Sequence, residues 1–195
     1  VSNSETSKTH LLAAADALAW LDRFHDPRDG AASKSADLTR MLLEQTASPF
    51  SRYQFLPGHI TCTALVLDPA RQRILVVHHR RLDRWLLPGG HVEPEDRTLE
   101  DAAAREAIEE TGVQLDRRRQ PGIAAVDVHG IPANKREPYH LHHDLVFTFQ
   151  AVDERLLATK EVREAAWCGW EEFDAYQLKE SIRLAAHRVL ADGRR

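Results

Sequence analysis

Cysteine is nearly absent from this chain: Cys62 and Cys168 are the only two in 195 residues. Two thiols build neither a disulfide framework nor a four-cysteine zinc site. Both lie in apolar, strand-like stretches, so buried free thiols are expected. Long hydrophobic runs are missing as well. No apolar stretch approaches the ~20 residues of a membrane-spanning helix. The first residues, Val1-Ser-Asn-Ser-Glu-Thr6, have no basic region followed by an apolar one, so no secretory signal is expected. The expected compartment is the cytoplasm, with no membrane partner. A large excess of one charge is also lacking. The net charge of -4 gives no field for grasping long nucleic acids. Small anionic substrates stay compatible, because local Arg clusters matter more to them than the total.

What is present suits a folded domain. A hydrophobic fraction of 43% and a charged fraction of 29% are ordinary for a globular chain of this length. Helical periodicity marks two early segments. Leu11, Leu12, Ala15, Leu18, Ala19 and Phe24 suit one helix, and Leu38, Met41, Leu42 and Leu43 a second. The turn signal Asp26-Pro-Arg-Asp-Gly30 separates them. Residues 1–55 therefore read as an N-terminal helical extension, and residues 56–195 as the main domain. The extension carries no chemical motif; forming a homodimer, covering a pocket and extending the core are all open to it.

After Pro57-Gly58 the pattern changes to alternation. Ile60–Leu67 and Ile74–His79 read as a hairpin around Asp68-Pro-Ala-Arg-Gln72. Trp85-Leu-Leu-Pro-Gly-Gly90 reads as a loop. A helix is expected from Thr98 to Thr111, with Thr98 and Asp101 as a capping box and Gly112 as its stop. Strands are expected at 123–128, 141–152 and 165–170, and a last helix at 178–190. Mixed strands flanked by helices predict an α/β fold, an α+β sandwich with a mixed sheet between helices.

The chemistry is concentrated on the helix after the two glycines. At ~100° per residue, Glu106, Glu109 and Glu110 share one face. Three carboxylates crowded there repel one another unless something positive sits among them. Arg105 is adjacent and is expected to point away, and one Arg cannot neutralise three acids. A hard divalent cation is the natural counter-charge, since it prefers oxygen ligands. A solvated acidic face is the plainer alternative. The Gly89-Gly90 loop before the helix weighs against it, because glycines let backbone groups approach a phosphate or a metal.

These residues resemble the signature of the Nudix hydrolase family, G-x5-E-x7-R-E-U-x-E-E-x-G-U, with U a bulky aliphatic. Arg105 to Val113 matches it, Ala107 standing in for the first U. Counting back from Arg105, the first Gly should fall at position 91, which is His; the Gly is Gly90. The loop therefore holds one extra residue, and the first Glu is replaced by Asp96 or shifted to Glu95. The resemblance covers Pro57 to Phe173. It implies that Glu106, Glu109 and Glu110 ligate Mg2+ or Mn2+, with the Gly89 carbonyl a further ligand. It implies that Arg105 orients the acids through ion pairs. It also implies hydrolysis of a diphosphate bond in a nucleoside diphosphate linked to another moiety, such as ADP-ribose, a nucleotide sugar, a dinucleoside polyphosphate or a nucleoside triphosphate. A helix carboxylate or one from a later loop, Glu161 or Glu164, would accept the proton of the attacking water.

Other groups are candidates for holding the substrate. His140, His142 and Asp144 share one face of a strand by period two, and suit a substrate contact, a transition-metal site or a plain polar face. The stretches around His129 and from Glu137 to His140 resemble a bacterial Nudix subgroup, which favours the substrate role. Arg80 and Arg84, with His78, His79 and Arg81, are suited to phosphates or to solvent. Trp85 suits stacking on a base or anchoring a loop. Two other classes compete with the hydrolase. One is a non-catalytic Nudix-fold binding module. The other is an isoprenoid-diphosphate isomerase, for which Cys62 is the one hook.

Overall fold

The structure is a computed structural model that describes residues 14–24, 29–157, 159–160 and 162–192. Turn chemistry sets its first hairpin, between β1 (Gly58–Leu67) and β2 (Arg73–His79). Asp68, 1% exposed, accepts from the Gln72 and Arg73 amides through Oδ1 (2.7 and 3.2 Å) and from Arg73 Nε through Oδ2 (2.9 Å). A buried carboxylate is tolerated only when its oxygens are satisfied in this way. Arg71 takes the left-handed backbone (φ 56°) that closes the turn. The strands then pair antiparallel with Leu67 opposite Ile74.

Two short strands follow, β3 (Arg84–Leu86) and β4 (Gly89–His91), where the sequence predicts a loop. Three residues carry no legible alternation. Their strand character comes from a partner, as β3 pairs with β2 through Val77–Leu86, His78–Trp85 and His79–Arg84. Next comes α3 (Leu99–Thr111), at the expected place. The Asp101 amide donates to Thr98 Oγ1 (3.2 Å), and Gly112 ends the helix at φ 65°, its amide on Ile108 O (2.8 Å). Then come β5 (Gly122–Ile131), β6 (His140–Gln150), β7 (Val162–Gly169), a single 3-10 turn at Trp170–Glu172 and α4 (Glu180–Asp192). The strands join in the order β3-β2-β1-β6-β5, with β4 on β1 and β7 on β2. Helices and sheet make the fold α/β, as expected.

The chain divides into two compact units. One holds the residues up to Cys62 together with Gly90–Ala102 and Ala125–Leu145. It contains α1 (14–23) and α2 (Gly30–Gln45), whose N-cap Asp29 accepts from the amides of Ala31 and Ala32. Its core includes Trp20, Leu21, Leu42, Leu43, Phe50 and Ile60. Burying each such side chain stabilises by roughly 1.5–3 kcal/mol. The two helices are part of this core. Ser35 Oγ accepts from the Val128 amide (3.1 Å), Asp16 Oδ2 from the Leu99 amide (3.3 Å), and Trp20 Nε1 donates to Glu100 (3.2 Å).

Their buried faces differ from the expected ones. In α1 the buried residues are Ala17, Trp20 and Leu21, while Ala15 and Ala19 are exposed. The large apolar side chains set the phase, and alanine fits either side. In α2, Leu38 and Met41 are 46% and 50% exposed, and Ser35 and Thr39 are buried instead. Thr39 donates to Ser35 O at 2.8 Å and the Ser35 hydroxyl accepts the Val128 amide, so small polar residues take the inward face with their hydroxyls satisfied. Leu11, Leu12 and most of the predicted turn before Gly30 lie outside the described residues.

The other unit holds Thr63–Gly89, Ala103–Ala124 and the residues from Val146 onward. Its longest described strand pairing joins β2 to β7, from Arg73–Gly169 to His79–Val162 with an irregularity at His78/His79. In α4, which begins two residues later than expected, Arg188 Nη1 donates to Ala124 O (2.6 Å). Among the described residues, no helix is long and apolar enough to cross a membrane.

Two outcomes follow from this packing. A Cβ added at Gly58 would sit 1.9 Å from Leu141 O, a backbone atom. Gly58→Ala is therefore expected to lower stability by about 1–3 kcal/mol, the usual cost of overpacking, read from urea unfolding. Cys62 and Cys168 are buried, and burial pushes the Cys168 thiol up to about 11 and that of Cys62 well above its ordinary value. Native protein is expected to resist thiol-labelling reagents at neutral pH and to react at both positions once unfolded.

Candidate active site

The acid-bearing face of α3 is built as its spacing requires, and its arginine does not point away but makes the ion pairs that the resemblance implies. Arg105 reaches along the helix toward the next turn, and its Nη1 lies 3.0 Å from Glu106 Oε1 and 3.0 Å from Glu109 Oε2. The i,i+4 separation brings Glu109 within reach. Repulsion between the two carboxylates makes a shared cation the lower-energy arrangement. The side chains of Glu106 and Arg105 are 13% and 24% exposed and that of Glu109 is 52% exposed, so the bridge runs from a sheltered acid to an open one.

Glu110 is the most sheltered of the three, at 5% exposure. Its Oε2 accepts the Gly89 amide at 3.2 Å, and its own carbonyl accepts Thr159 Oγ1 at 3.3 Å. The glycine at the start of β4 thus brings backbone into contact with the acidic face. The donors assembled here are all oxygens. That set suits a hard divalent cation such as Mg2+ or Mn2+ and not a soft one.

The remaining expected residues of this unit are spread over β2, β3 and β7. Arg80 and Arg84 are exposed, Arg80 after β2 and Arg84 at the start of β3. Glu164 is exposed on β7, opposite His78 of β2. Glu161 lies outside the described residues. Trp85 packs edge-on against Tyr176 (4.7 Å) and His78 (5.1 Å), the contacts of a loop anchor. Cys62 is fully buried in the other unit, and its thiol stays protonated because burial and then the charge of Asp144 both disfavour the thiolate.

That other unit contains a second constellation, a cluster of histidines. His140 and His142 share a face as expected, their Nε2 atoms 3.3 Å apart. His140 is 2% exposed and spends Nδ1 on the Pro138 carbonyl (2.9 Å). Asp144 Oδ1 accepts Thr61 Oγ1 at 3.0 Å. His142 is the hub, with the rings of His59, His140, His91 and His129 centred 4.8, 5.2, 5.5 and 5.7 Å away. Burial lowers the pKa of His91 to about 4 and that of His142 to about 2, the neighbouring imidazoles adding to the effect. These rings are neutral at pH 7. His59 and His91 escape a sequence reading because each is a lone histidine on its own strand. The only signal was the count of 11 histidines, which locates none of them.

Residues 57–191 match the NUDIX domain family. No curated protein matches the chain. Among solved structures, it is similar to a C. elegans Ap4A hydrolase in a binary complex, at 17% identity and TM-score 0.49, over 69% of this chain and 98% of that one. It is similar to the MutT protein of Methanosarcina mazei Go1 at 23% identity and TM-score 0.48, over 70% and 95% of the two chains. The NUDIX domain of Shewanella oneidensis NrtR, complexed with ADP ribose, is similar at 19% identity and TM-score 0.48, over 67% and 87%. The family match spans well over half of the sequence and includes the whole of α3, and by it this chain belongs to the NUDIX family.

Proposed function

We propose that the protein is a metal-dependent hydrolase of the diphosphate bond in a nucleoside diphosphate linked to another moiety. The observation that carries this reading is the arrangement on α3, where Glu106, Glu109 and Glu110 converge around Arg105 and the Gly89 amide. Glu106, Glu109 and Glu110 would hold Mg2+ or Mn2+, with the Gly89 carbonyl as a further oxygen donor. When bound, the cation supplies charge for a phosphoryl oxygen and a lowered pKa for an attacking water.

The protein's own groups do the rest. Arg105 keeps the Glu106 and Glu109 carboxylates from swinging apart before the cation arrives. The Gly89 amide fixes the orientation of Glu110, which burial alone would leave costly. A carboxylate outside the ligand set, Glu164 in this reading, accepts the water proton, and a helix carboxylate is the alternative base. Arg80 and Arg84 contact phosphate oxygens, for which the forked guanidinium is suited. Membership of the family and the intact acids favour a catalyst over a non-catalytic binding module.

Cleavage of a panel containing ADP-ribose, nucleotide sugars, dinucleoside polyphosphates, NADH and nucleoside triphosphates is expected with Mg2+ or Mn2+ and not with chelator. Glu109→Gln and Glu110→Gln should each lower kcat at least ~100-fold with unchanged circular dichroism. Near-wild-type rates in both variants would remove α3 from the chemistry, and silence of folded protein across the panel would favour the binding module. Glu164→Gln is expected to depress kcat while leaving KM unchanged. Arg84→Ala should chiefly raise KM, and if neither parameter moves in these two variants, Glu164 and Arg84 are surface groups.

A further inference from the structure

Imidazoles rarely gather without a reason, since each must place two ring nitrogens. In the unit containing α1 and α2, hydrogen-bond bookkeeping assigns the protons. A carbonyl only accepts, so His59 Nδ1, 3.0 Å from Gln54 O, carries the hydrogen of that neutral ring. Its Nε2 is then a bare lone pair. His59 is 1% exposed, and this nitrogen has no hydrogen-bond partner among the described residues. Leaving a buried polar atom unmatched costs about 1–3 kcal/mol, so a fold that retains one calls for an explanation.

The same accounting applies one ring further on. His140 Nδ1 donates to the Pro138 carbonyl, so its Nε2 accepts, and the proton between the two Nε2 atoms belongs to His142. Nδ1 of His142 is thereby left with its lone pair. One ring nitrogen each from His59, His91 and His142 lies within 4.8 Å of the others. A neutral histidine whose second nitrogen donates to a backbone carbonyl or a further side chain is the arrangement that fixes metal-ligating imidazoles.

We propose that His59, His91 and His142 form a second metal site, distinct in ligand chemistry from the carboxylates of α3, that takes a divalent transition metal such as Zn2+. Imidazole nitrogen suits Zn2+, Co2+, Ni2+ or Cu2+ and does not suit Mg2+. Three ligands leave one tetrahedral position for a water or another oxygen donor. With metal–nitrogen bonds of ~2.1 Å, tetrahedral ligands stand about 3.4 Å apart. Uptake therefore draws the rings inward, by rotation of His91 and His142, which are half-buried, about the fixed His59. His140 acts here as a positioning residue that orients His142. Around the site, Glu137 acts in favour of a cation and Arg52 against it, both through space on His59 and His91.

The test is metal binding by the full chain with the α3 acids disabled, so that the outcome does not depend on the proposed hydrolysis. Metal-stripped Glu109→Gln/Glu110→Gln protein is dialysed against Zn2+, and separately titrated with Co2+. The expected result is one bound Zn2+ and the intense visible absorption of low-coordinate, nitrogen-ligated Co2+. Adding His91→Gln or His142→Gln should weaken Zn2+ binding at least ~100-fold and bleach the Co2+ bands. His140→Ala should weaken it by about 10–100-fold with the bands retained, as for the loss of an orienting partner. Far-ultraviolet circular dichroism checks that each variant is folded. Folded parent protein that binds no Zn2+, or equal Zn2+ binding with and without the His91 and His142 substitutions, overturns the proposal.

Discussion

Like charges forced onto one helical face set the terms for this site. α3 fixes where the Glu106, Glu109 and Glu110 side chains start, so their mutual repulsion is answered by the groups placed around the carboxylates. Arg105 answers part of it by bridging two of them, and the Gly89 amide answers part of it at the third. The divalent cation proposed above would add to both answers. The position of β4 follows from the same need, since it is the strand whose first amide reaches Glu110.

Much of this was legible in the sequence where local rules decide the structure. The extent of α3 followed from Thr98, Asp101 and Gly112. The β1–β2 hairpin followed from the Asp68 turn. The family resemblance rested on nine consecutive residues, Arg105 to Val113, and the match over 57–191 supports it. What was not legible came from partners distant in sequence. β3 and β4 exist because other strands pair with them. The inward faces of α1 and α2 depend on what lies opposite, which is why Leu38 and Met41 point to solvent while Ser35 and Thr39 are buried. Arg105 turns toward its acids because a charge gradient overrides the bare helical wheel.

The histidines illustrate the same limit in another form. His140 and His142 are two apart on one strand, so period-two reasoning finds them. His59 and His91 stand on separate strands, and only the folding of β1, β4 and β6 brings all four rings together. For His59, His91 and His142, burial first and neighbouring imidazoles after it lower the pKa, so the neutrality of these three is likewise a collective property.

The bonds from Asp16 to the Leu99 amide and from Trp20 to Glu100 reach across 83 and 80 positions of sequence. They tie the first turn of the acid-bearing helix to a segment that precedes the family match altogether. The boundary of homology and the boundary of cooperativity are therefore different places in this protein. A truncation made at the homology boundary would keep every signature residue and still unmoor the end of α3, exposing an amide and a carboxylate whose partners had been cut away.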